Sequence, residues 1–154
     1  MNEVISAASF FLFYYGFYPK AEGRRKLREL LGILKPTRHK GVHTTNREGP
    51  GQWDGEWTWA PFNEIAFQSC LRYGLKAEAA ELALDYLEMT IGTFTKTGHF
   101  YEKQRASNGS TQIPEGSEIY GNEEGFGWTN GTVLVFLEYL AKQGRLSELE
   151  SRLK

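Results

Sequence analysis

The spacing of hydrophobic residues predicts helices over most of the chain. Between Lys20 and Lys40, leucines at positions 27, 30, 31 and 34 share one face while the other face is charged, the pattern of an amphipathic helix. Pro61 favours a helix start and Gly74 a helix end. Apolar residues at helical spacing predict three further helices, over residues 76–93, 132–142 and 146–153.

The alternating pattern of a half-buried strand is nearly missing from the sequence. Only Val42 to Thr45 alternates in this way, and that segment is brief. An apolar run from Val4 to Tyr18 predicts one more buried helix. The expected fold class is therefore all-α, built from helix pairs, with residues 1–154 forming a single domain of ordinary size.

The apolar run is too short to cross a membrane and does not resemble a secretion signal. Its length of about fifteen residues falls short of the roughly 20 that span a bilayer. Glu3 precedes the run where a signal peptide carries basic residues, and no small-residue cleavage site follows. We therefore expect no membrane partner, and the sequence slightly favours a cytoplasmic location.

Two segments are too long to be simple connections between helices. Residues 36–59 and 98–129 lack helical periodicity and are rich in glycine, aromatic residues and carboxylates. Each segment runs directly into a predicted helix. Long loops supported by a helical scaffold often carry functional residues, so these two loops are the candidate site.

Charge excludes several classes of protein. The net charge is -1 and 24% of residues are charged, which argues against a disordered polyelectrolyte. Eight basic residues between Lys20 and Lys40 face only two acidic ones, but their leucine-lined opposite face indicates the solvated side of a helix. No aromatic residues alternate with them to stack on bases, so no nucleic-acid partner is expected.

Aromatic content points toward carbohydrate. Phe, Trp and Tyr make up 14% of the chain, and aromatic faces suit pyranose rings while amides and carboxylates bind their hydroxyl groups. In the two loops the faces would come from Trp53, Trp57, Trp59, Phe100, Tyr101, Phe126 and Trp128, and the polar groups from Gln52, Asp54, Glu102 and Asn130. The same composition also fits a pair of loops that merely pack together.

Other chemistries find little support in the sequence. His39, His43 and His99 lack the spacing of a metal site, and we interpret the first two as surface residues. The single cysteine, Cys70, excludes an intramolecular disulfide and lies mid-helix as a small core residue. No nucleophile elbow or phosphate-binding loop occurs. We expect no metal and no cofactor.

Motifs in both loops resemble one family. Residues 52–61, Gln-Trp-Asp followed at the right spacing by Trp-Ala-Pro, resemble a signature of the α,α-trehalases. Residues 125–131, Gly-Phe-Gly-Trp-Thr-Asn-Gly, are identical to another trehalase segment, and 101–103, Tyr-Glu-Lys, are similar to a third. Looser matches occur at 7–13 and 41–45, so the resemblance covers nearly the whole chain in order.

The resemblance implies a fold and a reaction. It implies part of an (α/α)6 toroid, with loops at one end forming a sugar pocket, and inverting hydrolysis of trehalose without a cofactor. Glu102 matches the family's general base, which would deprotonate a water held between two carboxylates about 6.5–9.5 Å apart. The matched substrate-binding or loop-shaping positions are Gln52, Trp53, Asp54, Trp59, Phe126 and Trp128.

Some positions depart from the family pattern. The substrate-contacting glutamate expected immediately before Tyr120 is Ile119 here, and Glu118 is the nearest carboxylate, one position early. Glu118 is therefore a further candidate for substrate binding. Asn130 is expected either to cap the helix after Trp128 or to contact sugar.

The aspartate segment that supplies the family's general acid does not occur in this sequence. The chain resembles the carboxyl-terminal part of a trehalase, so a complementing amino-terminal segment is the expected partner beside the small sugar substrate. We expect little hydrolysis by the chain alone. Two alternatives stay open: a hydrolase of another α-glucoside on the same fold, and a non-catalytic sugar-binding or helical interaction module.

Overall fold

The computed structural model describes residues 3–117 and 119–154, and most of them are helical. A short 3-10 helix, Ala7–Ser9, comes first. The described residues then form six α-helices and two short strands, which in chain order are α1 (Phe10–Tyr14), α2 (Lys20–Leu34), β1 (Trp57–Trp59), α3 (Ala60–Arg72), α4 (Lys76–Thr97), β2 (Lys103–Arg105), α5 (Gly127–Lys142) and α6 (Leu146–Arg152). The all-α prediction is confirmed.

The strands do not lie where the alternating pattern indicated. Val42 to Thr45 is not a strand, although Thr45 forms an isolated bridge with Ser6. Instead β1 pairs antiparallel with β2, and Trp57 lies opposite Arg105. These strands have three residues each, too short to show periodicity, and their stability comes from pairing between residues whose numbers differ by 44 to 48.

Helix α2 has the amphipathic form that its leucines predict. Leu27, Leu30 and Leu34 are buried, while the basic side chains of the opposite face lie toward solvent. Gly23 lets the ring of Tyr73 cross α2 at a position that any Cβ would occupy. The hydroxyl of Tyr73 also donates to the carbonyl of Tyr18 at 3.0 Å, which ties the end of α3 to the start of α2.

Helix α4 forms the centre of the molecule. It packs against α3, α5 and α6, and it is therefore buried on more sides than the one apolar stripe in its sequence suggests. Leu84 and Leu87 are fully buried on it, and so is Phe136 of α5. Phe136 packs against Phe67 of α3 with ring centroids 4.8 Å apart. This core supports the two loops that precede α3 and α5.

The N-terminal apolar run is only partly a buried helix. Helix α1 has five residues, of which Phe10 and Phe13 are buried. Tyr15 and Phe17, by contrast, are 62% and 72% exposed. The expectation of one buried helix over Val4 to Tyr18 was therefore wrong, because hydrophobic composition does not specify how many sides of a segment find a packing partner.

No helix among the described residues is both long and apolar enough to cross a bilayer.

Helix α5 begins five residues before the periodic pattern indicated. Its first turn includes Gly127 to Asn130, which we expected to remain in the loop. Asn130 therefore does not cap the helix. It lies inside the first turn, where its side-chain amide donates to the carbonyl of Phe126 at 2.9 Å.

The two loop histidines are not simple surface residues. Nδ1 of His39 lies 2.6 Å from Nε2 of His43, and both side chains are half-buried. Burial lowers the pKa of His43, and the neighbouring His39 adds to this effect, whereas the Glu56 and Glu48 carboxylates oppose it. The fold therefore favours a neutral His43.

We expect acid to destabilise the fold partly through His43. The unfolded chain takes up this proton near the ordinary pKa of 6.5 while the folded chain resists it, so stability is lost as pH falls below that value. One such proton contributes at most about 1.4 kcal/mol per pH unit. Urea unfolding at pH 5 and pH 7 should show a smaller loss for His43→Gln than for the unaltered chain. Equal losses in both proteins would contradict the prediction.

Candidate active site

Two stacked tryptophans form one wall of the candidate site. The rings of Trp53 and Trp59 are 3.7 Å apart and inclined by only 7°. Trp59 is fully buried, whereas Trp53 is 45% exposed. Nε1 of Trp59 donates to the carbonyl of Gln52 at 3.1 Å, which folds the first loop over its own helix. The stack therefore presents one indole face to solvent.

Asp54 shapes this loop from inside. Its Oδ2 accepts a hydrogen bond from the amide of Gly51 at 3.1 Å. A side chain at Gly49 would collide with the Asp54 carboxylate. Asp54 therefore stabilises a tight turn in this loop and orients the neighbouring Trp53.

The strand pair joins the first loop to the second. In the register of β1 and β2, Trp59 lies opposite Lys103 and Thr58 opposite Gln104. Asn63 of α3 anchors β1 to the helical core, since its Nδ2 donates to the Thr58 hydroxyl and to the Trp59 carbonyl, both at 2.8 Å. The pairing places Glu102, the residue before β2, next to the tryptophan stack.

The second loop pairs with itself around Glu102. The amide of Glu102 donates to the carbonyl of Glu123 at 2.9 Å, and the amide of Gly125 donates to the carbonyl of Phe100 at 2.7 Å. Tyr101 bridges to Glu124 in the antiparallel sense. Residues 100–102 and 123–125 of the second loop thus pair through their backbones, and we call this pairing the Glu102 hairpin.

The first turn of α5 holds this hairpin against the first loop. Nε1 of Trp128 donates to the Glu102 carbonyl at 3.2 Å, and the Thr129 hydroxyl donates to the Tyr101 carbonyl at 2.7 Å. The ring of Trp128 meets that of Trp59 edge to face at 5.8 Å, and Phe126 packs against Trp128 at 4.6 Å. Both motif-bearing loops therefore converge on Glu102.

The carboxylate of Glu102 has a partner on each oxygen. Oε1 accepts from the Tyr120 hydroxyl at 2.7 Å, and Oε2 accepts from Nζ of Lys103 at 2.8 Å. The Glu102 side chain is 5% exposed and that of Lys103 is 0% exposed. Charge-assisted hydrogen bonds of this kind are shorter and stronger than neutral ones, so the carboxylate is held in one orientation.

Tyr120 covers the outer side of Glu102. Desolvation raises the pKa of its phenol to about 12, and the hydrogen bond and negative charge of Glu102 add to the shift, while Gln52 opposes it. The phenol is therefore neutral at physiological pH and donates a hydrogen bond to the carboxylate. Gln52 of the first loop and Glu102 of the second loop both shift the pKa of Tyr120, so the phenol lies near both loops.

Six of the predicted site residues lie where the tryptophan stack meets the Glu102 hairpin. They are Gln52, Trp53, Trp59, Glu102, Phe126 and Trp128. Oε1 of Gln52 is buried with no hydrogen-bond partner among the described residues, which leaves an acceptor free for a ligand. Asp54 bonds within its own loop, and the prediction for Glu118 lies outside the described residues.

Sequence reasoning missed the roles of Lys103 and Asn122. Asn122 accepts from the Lys103 amide at 3.2 Å and donates to the carbonyls of Lys103 and Thr111, each at 2.9 Å. A lysine or asparagine in a polar loop is normally expected to face water. The one available signal was the position of Lys103 directly after the candidate base.

The described residues contain no group of three or more His, Cys, Asp or Glu side chains arranged to hold a metal ion. The chemistry that this arrangement supports is proton transfer by a shielded, fixed carboxylate beside aromatic faces.

Comparisons with known proteins agree with the motifs. A sequence profile described as Trehalase matches residues 1–141. The periplasmic trehalase of Pseudomonas aeruginosa is 31% identical over 136 residues, which is 88% of this chain and 24% of that protein. Human trehalase is 32% identical over 101 residues, which is 64% of this chain and 17% of that protein. The chain therefore spans less than a quarter of each of these two relatives.

A solved structure has the same fold. The neutral trehalase Nth1 from Saccharomyces cerevisiae superposes with a TM-score of 0.75 at 23% identity, covering 98% of this chain and 26% of that one. The likeness confirms the expected architecture, in which the paired helices form part of an α-helical toroid.

We expect Asn122→Ala to destabilise the fold by about 1–3 kcal/mol, because it leaves partly buried backbone groups beside the Glu102 hairpin without partners. The amide of Lys103 should also exchange its hydrogen faster. Urea unfolding and amide hydrogen exchange measure the two effects. Asn108→Ala is the matched control, since the Asn108 side chain accepts only a local bond from the Ser110 amide among the described residues, and its effect should stay within about 0.5 kcal/mol. Similar losses in both variants would contradict the role of Asn122.

Proposed function

Since this chain belongs to the trehalase family, we propose that it forms the part of an inverting α,α-trehalase that carries the general base and one wall of the sugar pocket. The observation that supports this proposal best is the placement of Glu102. Its carboxylate is buried and held at both oxygens where the two motif-bearing loops meet.

Glu102 would act on water. In inverting hydrolysis the base removes a proton from a water molecule as its oxygen bonds to the anomeric carbon. The glycosidic carbon–oxygen bond breaks at the same time, and the general acid protonates the departing oxygen. Trehalose then yields two glucose molecules, with one proton gained by Glu102 and one lost by the acid.

The aromatic wall and the free amide oxygen suit a sugar. The exposed face of Trp53, stacked on buried Trp59, is a rigid apolar surface for a pyranose ring. Oε1 of Gln52 is an unpaired buried acceptor, and a sugar hydroxyl would donate to it. Together they support a carbohydrate over a ligand without hydroxyl groups.

The general acid would come from an amino-terminal trehalase segment, since this sequence does not contain the aspartate segment that supplies it in the family.

An exposed apolar surface near the start of the chain is a candidate contact for that segment. We define the N-terminal aromatic strip as the exposed residues Phe11, Leu12, Tyr14, Tyr15 and Phe17, which are between 38% and 72% exposed. An exposed patch of this kind marks an interaction surface. The chain covers 26% of a toroid to which it is similar, so apolar helices from the remaining part of such a toroid are the occupant that fits the strip.

A chimera tests the proposed activity. This chain would replace the matched stretch of the Pseudomonas aeruginosa periplasmic trehalase, and glucose release from trehalose would be measured. We expect hydrolysis by the chimera and a loss on the order of 10²- to 10⁴-fold in kcat on Glu102→Gln, because proton abstraction from water fails.

Glu138→Gln is the matched control for this experiment, since Glu138 pairs only with Lys142 on the exposed face of α5 among the described residues. It should leave the rate unchanged. A folded chimera in which Glu102→Gln keeps full activity would contradict the proposal. Sugar binding without hydrolysis, unaffected by Glu102→Gln, would instead favour a non-catalytic binding module.

Ile119 favours a second candidate, a hydrolase of another α-glucoside. Where the family resemblance leads us to expect a carboxylate that contacts substrate, this chain has a half-buried aliphatic residue beside Tyr120. A panel of α-linked glucose disaccharides given to the same chimera separates the two candidates. A kcat/KM higher for another disaccharide than for trehalose would favour the second.

We expect charged substitutions in the aromatic strip to weaken association with the amino-terminal segment. Tyr15→Glu and Phe17→Glu would each place a charge in an apolar interface, and we expect each to raise the Kd at least about tenfold, equivalent to roughly 1.4 kcal/mol. Binding of this chain to the separately produced amino-terminal part of the Pseudomonas trehalase provides the measurement. Leu153→Glu, at the exposed end of the chain, is the control. Unchanged affinity in both Tyr15→Glu and Phe17→Glu would exclude the strip as the interface.

A further inference from the structure

Lys103 is a fully buried ammonium group beside the candidate base. Its side chain is 0% exposed, which is rare for lysine because moving an ammonium group out of water is unfavourable. Such a residue requires compensating contacts. The cost indicates that the position serves a purpose that an apolar residue of similar volume would not meet.

Every contact that this ammonium makes with the described residues lies within the candidate site. Nζ donates to Oε2 of Glu102 at 2.8 Å and to the carbonyl of Gly121 at 3.3 Å. It also lies 4.1 Å from the centre of the Tyr120 ring and 5.3 Å from that of Trp59. Cation–π contacts of this kind are stronger when desolvated. The ammonium therefore joins both loops to the carboxylate.

These contacts make the two oxygens of Glu102 unequal. Oε2 faces an ammonium that solvent does not reach, whereas Oε1 faces the Tyr120 hydroxyl, on a side chain that is 47% exposed. A water molecule or sugar hydroxyl at the tyrosine side could reach Oε1. On the lysine side the space is filled.

We propose that Lys103 is a positioning residue for the general base: its ammonium binds Oε2, balances the negative charge of the carboxylate, and leaves Oε1 as the oxygen that takes the proton from water. This inference rests on the proposed function for the identity of the base. The ionic contact itself belongs to this chain and can be measured without any activity.

Lysine suits this role better than arginine would. An ammonium is a compact point charge that can bind one carboxylate oxygen, whereas a guanidinium binds both oxygens of a carboxylate side by side. Bidentate binding would occupy Oε1 as well. Among the described residues, the other groups that face this carboxylate are the neutral phenol of Tyr120, which binds Oε1, and the carboxylate of Glu123, whose charge acts on that phenol.

Carbon NMR of the Glu102 carboxyl group in this chain tests the electrostatic effect of Lys103 directly. On Lys103→Met, the midpoint of the titration should rise by about 1–3 pH units, because a buried carboxylate without its counter-ion takes up a proton more readily. Glu102→Gln identifies the resonance by removing it. A midpoint that moves by less than about 0.5 pH units would overturn the proposal.

Lys35→Met is the matched control. Lys35 forms an equally close ion pair with Asp85, at 2.6 Å and with side chains 11% and 13% exposed, but on α4 and the end of α2. Its loss should leave the Glu102 titration where it was. A shift as large as that of Lys103→Met would mean that general loosening of the fold, and not the local charge, moves the titration, which would overturn the proposal.

A double variant keeps the test decisive if Lys103→Met folds poorly. Glu102→Gln combined with Lys103→Met removes both charges, so it should recover most of the stability lost by Lys103→Met alone, as measured by urea unfolding. Additive losses would show that the two side chains are not coupled, and would overturn the proposal.

The chimera gives a readout that a purely structural lysine would not change. With Lys103→Met, the acid limb of the pH–kcat profile should move to higher pH, with partial recovery of the rate in alkaline buffer. A uniform drop at every pH would overturn the positioning role. Absence of hydrolysis by the unaltered chimera would count against the proposed function, while the NMR titration would still decide the role of Lys103.

Discussion

Three backbone pairs between Trp57–Trp59 and Lys103–Arg105 hold together two loops that are far apart in the sequence. Without this pairing, the tryptophan stack and the Glu102 hairpin would be separate surface features. The strands are themselves supported from below, because Asn63 binds Thr58 and Trp59 and is buried in α3. The helical core thus holds the candidate site in place through one small sheet.

The same pairing makes the buried charges of the site tolerable. Lys103 lies opposite Trp59 and next to Glu102, so its ammonium enters a space already lined by aromatic rings and by the carboxylate that neutralises it. Removing one charge of such a pair leaves the other uncompensated and costly. The site is therefore rigid for an electrostatic reason as well as a packing one, and rigidity is what a general base requires to hold water in line.

The remainder of the molecule has the character of one part of a larger ring of helices. Helices α3, α4 and α5 share a well-packed core, yet the N-terminal aromatic strip, on α1 and the residues that follow it, is left exposed by the described residues. The chain spans 26% of a toroid to which it is similar. An exposed apolar face suits a unit that packs within a larger assembly of helices.

Local pattern alone determined the helices with a clear solvent face. Leucine spacing predicted α2, and Gly74 predicted the end of α3, where its φ of +72° suits glycine. The family motifs, also local strings of residues, predicted which loops would matter and singled out Glu102. These features depend on neighbours within a few positions, which a sequence displays directly.

What the tertiary structure decided depends on residues far apart in the chain. The strands β1 and β2, the early start of α5 at Gly127, the solvent exposure of Phe17 and the burial of Lys103 all contradict what their own segments suggest. In each case the environment comes from another segment, through backbone pairing, ring packing or the lack of a partner. Hydrophobic periodicity records how a segment divides its own surface, but it does not record which other segment covers it.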